Sequence, residues 1–580
     1  MTQTPANAAA SKDGMEPPLC ELPITIADGG FYHGFNKLVS VSSKVIVSAL
    51  ILWTILFPVQ AGETLAEANA TLIREFAGWY VYLVAFVMLV ALVLALLPQS
   101  GSLRLGAPGE EPEFSRFSWF AMLFGAGIGV GMLTYSTGEP LAHFAANPDT
   151  IRGVVDPVTA ETVSSAYRYT FLHWGFAAWA TYALVGLAVG YVAYRRGLPL
   201  TIRSSLAPLF GLRMSGFWGH LVDLVAVVAT VLGVAVTMSF GVEQFVAGLN
   251  RLGMGDWLLN DAGTASAAAI VIALVVLVGA STLSAISGVG RGIKWLSNLN
   301  MALSVLLLAV FLLFGIGLGG ITLLLTSIEN YLLSLPADAL TLYTADGTQT
   351  GDALAQWQLD WSVFYWAWWI AFAPFVGMFI ARVSRGRTIR EYVLGVVLVP
   401  SLMCFIWMAL AGGTSIELVL DGSDGGAIMA ANISDQLYAT LDAMFDSGIA
   451  AVLSGLVVVL LTTYLITSAD SAILIVNTIN GAGNDTGGDN EKGAERRHHI
   501  LFWGAAIALV VGSMLILGGT DAIQITMILG ALPFSLVVAL MAVSILKAVI
   551  FDVRRKRDGV ETHCPVILAD AAAKADGNAT

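Results

Sequence analysis

Residues 359–387 read LDWSVFYWAWWIAFAPFVGMFIARVSRGR, and this stretch decides the fold class. Seven of the twelve residues from Trp361 to Phe372 are aromatic, four of them tryptophan. They lie in an apolar run long enough to cross a hydrocarbon core of about 30 Å. At about 100° per residue, Trp361, Tyr365, Trp368 and Phe372 share one helical stripe, and Trp369 sits beside it. Tryptophan belts are common at membrane surfaces, but a belt belongs at the ends of a span. Ring faces attract cations that carry no hydrogen-bond donor, which is how quaternary ammonium groups are usually held. Pro374 and Gly377 follow at once and predict an interruption of this helix, ahead of the basic run Arg382, Arg385, Arg387 and Arg390.

The composition agrees with a membrane protein: 57% of residues are hydrophobic and only 12% charged. Apolar stretches near 40–60, 77–97, 117–138, 165–192, 217–249, 266–284, 297–320, 357–381, 389–412, 446–478, 499–518 and 523–550 predict an all-α integral membrane protein of twelve transmembrane helices. Most of the 28 Lys and Arg fall after even-numbered spans, among them Arg195, Arg196, Arg203 and Arg213, so both termini are expected in the cytoplasm. The expected organisation is a cytoplasmic segment 1–38, a transmembrane domain 39–551 and a cytoplasmic tail 552–580. The first 30 residues hold Pro17, Pro18 and four acidic side chains rather than the apolar core of a signal peptide. A net charge of −13 argues against a nucleic-acid partner, while Asp552–Arg557 is placed to touch anionic lipid. Cys20, Cys404 and Cys564 are too scattered to suggest a disulfide framework or a zinc site.

The third span, FSWFAMLFGAGIGVGMLTYSTGEP, alternates Gly125, Gly127, Gly129 and Gly131. Small residues let helices approach closely. The other reading is an unwound backbone whose carbonyls and amides bind ions and carboxylates. With the eighth span interrupted at Pro374 and Gly377, each half of an inverted repeat would open with a broken helix, the arrangement that marks a transporter's central site. In the fourth span, Trp174, Trp179 and Tyr182 fall within half a helical circumference and line one concave wall, which Trp369 would close. His173 adjoins them, and a lone histidine is more often a hydrogen-bonding residue than a proton relay. The seven histidines show no metal-ligand spacing and no P-loop is present, so a metalloenzyme and direct ATP drive are disfavoured.

Three motifs, in order, resemble the betaine/choline/carnitine transporters: the glycine run ending in Glu139-Pro140, HWxxxxWxxY at His173–Tyr182, and FYWAWWxxxxPFVGxFIARxSRGRT at Phe364–Thr388. The resemblance covers about residues 35–555. It implies two peripheral helices followed by a ten-helix inverted-repeat core with two interrupted helices, and a homotrimer in a bacterial inner membrane. It implies sodium-coupled transport of a small zwitterionic solute such as glycine betaine or dimethylsulfoniopropionate, with no cofactor beyond the coupling ion. Trp174, Trp179, Tyr182 and Trp369 would form the aromatic box, with Trp368, Phe372, Gly127, Gly129 and Gly131 also lining the substrate site. One sodium ion would be held by Gly125, Ile128, Thr467 and Ser468. A second family site keeps Thr230 and Phe375, but Val234 replaces its second threonine and cannot ligate an ion.

Two further departures bear on specificity. Phe372 stands where a third tryptophan is usual, and Thr134 where an aromatic residue is common. No Asp or Glu lies between Phe117 and Gly138, so discrimination against the net cation choline is expected, with Gly131→Asp admitting it. The alternatives are a sodium-independent exchanger or a proton-coupled carrier of carnitine, choline or ectoine, and, in a different class, a ligand-gated channel or a non-transporting receptor.

Overall fold

Helices dominate the computed structural model, which describes residues 16–127, 129–287, 290–483 and 493–569. Among these residues there is no β-strand beyond isolated bridges such as Arg104 with Thr388. Among the described residues, ten helices are long and apolar enough to cross a membrane. Burial sorts them by position. The most apolar windows of Thr162–Arg196 and Gln349–Val383 are 94% buried, whereas that of Lys37–Leu56 is 33% buried. The two aromatic-rich spans therefore form the centre, and the first helix lies at the edge.

Several expected spans take a different form. The third is two short helices, Arg116–Gly127 and Val130–Ala145, meeting at Gly129, whose backbone (φ −159°, ψ −128°) is not helical. The fourth, expected to be continuous, is divided at Gly175 into Thr162–Trp174 and Phe176–Arg196. The seventh ends at Phe314, and a separate helix, Leu318–Asp338, occupies a stretch expected to be an outer loop. At its end Gly493–Arg557 is one helical run bent at Gly518 and Gly519, where Gly519 takes φ 65°. That bend separates the two apolar stretches expected there.

The eighth span corrects the sequence expectation most directly. Phe364–Val383 is an unbroken helix with Pro374 inside it. Its irregularity lies earlier, in the π-helical turn Leu359–Val363. Gly377 is a packing residue: a Cβ there would stand 2.7 Å from Val185 Cγ1 and 3.0 Å from the Gly186 amide nitrogen. Small residues on both helices let the two central spans touch backbone to backbone, and that contact holds the helix together around its proline.

The basic run after the eighth span ties down the loop before the third. Arg385 pairs with Glu110 at 2.7 Å, and the Arg387 guanidinium lies 4.0 Å over the Trp119 ring. Gly386 (φ +85°) packs so closely on Glu111 that a Cβ would fall 2.5 Å from its carbonyl oxygen. The terminal segments also meet. Cys20 and Cys564 form a disulfide across 544 residues, and Arg555 donates to the Glu16 carbonyl at 2.9 Å. The reading of these two cysteines as unconnected is thus corrected; Cys404 is free and buried.

Candidate binding chamber

The break at Gly175 builds the chamber. It frees the His173 carbonyl and the Phe176 amide from the helical ladder, and both find new partners. Trp369 Nε1 donates to the His173 carbonyl at 3.0 Å, and the Phe176 amide donates to the Tyr331 hydroxyl at 2.9 Å. A Cβ on Gly175 would lie 2.5 Å from the Phe171 oxygen and 2.6 Å from that hydroxyl, so glycine is required by space. Tyr331 belongs to the Leu318–Asp338 helix, which Arg168 holds through Asp338 with bonds of 2.8 and 2.5 Å. One indole of the eighth span therefore caps the broken fourth span, placing Trp369 beside Trp174.

Four rings named from the sequence meet in series. Trp174 and Trp369 stand edge to face with centroids 5.2 Å apart, Trp369 and Tyr182 at 6.1 Å, and Tyr182 and Trp179 at 5.5 Å. Phe372 reaches Tyr182 at 6.4 Å. Trp368 is stacked on Trp369 at 4.9 Å and turns its N–H towards the Thr237 hydroxyl. All six rings are buried, none more than 7% exposed, and they pack against one another as one cluster. The Tyr182 hydroxyl is also buried and has no hydrogen-bond partner. A ligand with a cationic, donor-free head and a polar end meets the ring faces and this unspent hydroxyl.

The glycine run flanks the chamber. A Cβ at Gly131 would be 2.7 Å from the Trp368 ring and 3.5 Å from that of Trp174, so any side chain at Gly131 has to displace Trp368. An aspartate at this position would therefore bring its carboxylate in against the Trp368 ring. Gly129 faces the other way: its Cβ would have room, 3.5 Å from Tyr464 and 3.7 Å from Ser468 Oγ. Gly125 and Gly127 lie in the helix before the break, and Ile128 lies outside the described residues. The Thr467 hydroxyl bonds back to the carbonyls of Thr463 and Tyr464 at 3.0 and 3.1 Å. Its oxygen also accepts from Asn300 Nδ2 at 3.5 Å. Thr230 donates to Ala226 in its own helix at 2.7 Å, while Phe375 lies 5.1 Å from Phe372.

The sequence reading missed the residues behind the box. Thr134 does not open the chamber; its hydroxyl bonds Gln244 at 2.9 Å. Its neighbour Tyr135 takes the wall instead, 6.2 Å from Trp174 and 6.1 Å from Trp368. Glu139 is fully buried and accepts from Trp174 Nε1 and the Tyr365 hydroxyl, each at 2.5 Å. Its other oxygen is 2.6 Å from His173 Nδ1 and 3.2 Å from His143 Nε2. The missed signal is helical spacing: Gly131, Tyr135, Glu139 and His143 recur every four residues on one stripe.

Glu139, His143 and His173 offer ligand atoms within 4.8 Å of one another. Two ligands on one zinc ion lie roughly 3.3 Å apart. The 2.6 Å contact between Glu139 and His173 is instead a direct hydrogen-bond distance, and Trp174 and Tyr365 add two donors to the same carboxylate. This is a hydrogen-bond network around an anion. It opens outward through Ser362, whose hydroxyl is 3.0 Å from His173 Nε2 and which lines a surface cavity with Tyr169, Trp357 and Trp366.

Fold and site together define a multi-pass membrane protein with a buried aromatic cluster beside two broken spans. A sequence profile described as "BCCT, betaine/carnitine/choline family transporter" matches residues 38–554, and the chain belongs to that family. The glycine betaine transporter OpuD of Bacillus subtilis is 36% identical over 86% of this chain and 92% of its own length. The osmo-independent choline transporter BetT1 of Acinetobacter baylyi is 34% identical, over 88% of this chain and 93% of its own. A glycine betaine/proline/choline/ectoine transporter of Vibrio parahaemolyticus is 33% identical, over 88% and 86% respectively. These relatives are transporters, and the chain is a transporter rather than an enzyme.

Proposed function

We propose that this protein is a sodium-coupled carrier that imports a small quaternary ammonium or sulfonium zwitterion by alternating access across a bacterial inner membrane. Glycine betaine and dimethylsulfoniopropionate are the leading substrates. The observation that supports this reading is the contact series Trp174–Trp369–Tyr182–Trp179, in which buried rings from two spans meet edge to face. Ring contacts worth about 0.5–2 kcal/mol each offset much of the cost of stripping water from an onium head. The glycine run supplies the other end. A Cβ at Gly131 would meet the Trp368 and Trp174 rings, and this closeness supports reading the amides at the break as partners of a substrate carboxylate.

Coupling rests on the opposite face of the same break. Gly129 abuts Ser468, and hydroxyl and backbone oxygens near 2.4 Å suit a hard cation. No Lys or Arg lies between Asp223 and Asn250 to replace that ion with a fixed charge. With a neutral zwitterion, one sodium ion crossing 100 mV contributes about 2.3 kcal/mol, or roughly 50-fold accumulation. In this reading twelve helices cross the membrane, two of them peripheral to a ten-helix core. The protein assembles as a homotrimer with both termini in the cytoplasm. Uptake of labelled glycine betaine into proteoliposomes tests it: accumulation should require an inward sodium gradient and rise with an inside-negative potential. Equal uptake with potassium or a proton gradient in place of sodium would remove sodium coupling, and absence of betaine uptake and counterflow would remove the carrier reading.

A further inference from the structure

We propose that Cys20 and Cys564 are a reversible thiol–disulfide site, exchanging with low-molecular-weight thiols and disulfides, and that the closed bridge slows transport by tying the ends of the fourth and tenth spans together. This goes beyond the carrier reading and uses it only for one of its readouts.

Each cysteine sits on a strap anchored to a different span. The tail strap lies on the fourth. The Cys564 amide donates to the Arg195 carbonyl at 3.1 Å, and Arg195 Nη2 donates to the Thr562 hydroxyl at 3.2 Å. Gly197 ends that helix in the left-handed region (φ +67°) and packs so closely that a Cβ would stand 2.7 Å from Val566. His563 adds a bond from Nε2 to the Gly106 carbonyl at 3.2 Å. The N-terminal strap is held at the tenth span. The Asn36 amide donates at 2.8 Å to the carbonyl of Asn480, the last residue of the helix Ser447–Asn480. Asn36 Nδ2 reaches back to the Thr25 carbonyl at 2.8 Å, which sets Thr25 beside that anchor. From Thr25 to Cys20 the chain spans at most about 18 Å.

The bridge turns two straps into one. With it closed, Cys20 and Cys564 have Cα atoms 5.5 Å apart, and a continuous tether runs from Asn480 to Arg195. One tethered helix carries Thr467 and Ser468, the other Trp179 and Tyr182. A conformation that moves one helix end away from the other has to stretch the tether or break its anchors, and alternating access is built from such movements. With the bridge open, single hydrogen bonds such as that from Arg555 to the Glu16 carbonyl are left to hold the N-terminal strap near the tail.

Cys20 is half-buried and Cys564 fully buried, so a reagent thiolate reaches the Cys20 sulfur first. It forms a mixed disulfide there and releases Cys564 as a thiolate, which takes up a proton. A second thiol attacks the reagent sulfur of that mixed disulfide and releases Cys20. Two thiols are thereby oxidised to one disulfide while the bridge gains two electrons. The reverse sequence, begun by a low-molecular-weight disulfide, closes it again. With both termini in the cytoplasm, as proposed above, such a bond is redox-sensing rather than permanent, because thiol pools keep that compartment reducing.

The test compares full-length protein in proteoliposomes after glutathione disulfide and after dithiothreitol. Maleimide labelling of the denatured wild type should find one thiol, Cys404, in the first case and all three in the second. Hydrogen exchange at the Cys564 amide should be faster after reduction. Betaine uptake should rise at least about threefold on reduction. Cys20→Ser should hold the faster rate under both treatments, and Cys404→Ser should respond as the wild type does. Three free thiols after glutathione disulfide, or equal exchange at Cys564 in both states, overturns the proposal. So does a bridge that forms yet leaves uptake unchanged or faster. Absence of betaine uptake under every condition removes the carrier reading, and the thiol count and amide exchange then still decide the bridge.

Discussion

The third and eighth spans both carry helix-breaking residues beside the chamber, yet only the third breaks. At Gly129 the chain leaves the helix with room around it, 3.5 Å or more from its neighbours for an added Cβ. At Pro374 and Gly377 it stays helical because the fourth span is pressed against it at Val185 and Gly186. The fourth span itself breaks at Gly175, where Trp369 and Tyr331 stand ready to take the freed carbonyl and amide. At Gly175 the released backbone groups have partners waiting, whereas at Pro374 close packing on the fourth span keeps the helix whole.

Four substitutions test that contrast, beginning with the largest effect. Gly377→Leu forces a side chain into a backbone contact, and overpacking of this kind costs about 1–3 kcal/mol or more. The variant is expected to lose its monodisperse peak in size-exclusion chromatography; a stable, well-folded variant would show that the two central helices do not depend on this contact. Trp369→Ala removes both a chamber ring and the cap on the His173 carbonyl. Betaine binding should weaken by about 1–2 kcal/mol, roughly five- to thirtyfold by calorimetry. Unchanged affinity in the folded variant would sink the box assignment.

Gly129→Ala has space for its methyl group but favours the helix at the break by about 1 kcal/mol. The protein should fold, bind betaine and need roughly fivefold more sodium for half-maximal uptake. Sodium dependence identical to wild type would separate the break from ion binding. Pro374→Ala should do least. The helix is already continuous there, so the change in stability should stay within about 1 kcal/mol and uptake should persist. Loss of transport in a stable Pro374→Ala protein would restore the hinge that the packed helix argues against.

Much of the chamber was legible because its chemistry is local. Trp174, Trp179 and Tyr182 lie within nine residues, Trp368, Trp369 and Phe372 within five, and helical spacing alone aims them together. Leu318–Asp338 was hidden because its apolar content is modest, with a mean hydropathy of 1.3, and Pro336 sits inside it. The Cys20–Cys564 bridge joins residues 544 apart, a distance over which spacing rules carry no information. Glu139 was visible as part of a motif but silent about its partners, which come from three helical segments.

The sequence by itself determined the all-helical membrane class and the family, and it singled out rings that the fold brings together, because hydropathy and helical periodicity act over neighbouring residues. Only the tertiary structure decided which glycines break a helix and which proline does not, and that the ring Trp174 carries a buried carboxylate on its edge. Those outcomes depend on whether a freed carbonyl, amide or charge finds a partner, and the partners Trp369, Tyr331, Tyr365 and His173 are brought within reach only when separate spans pack.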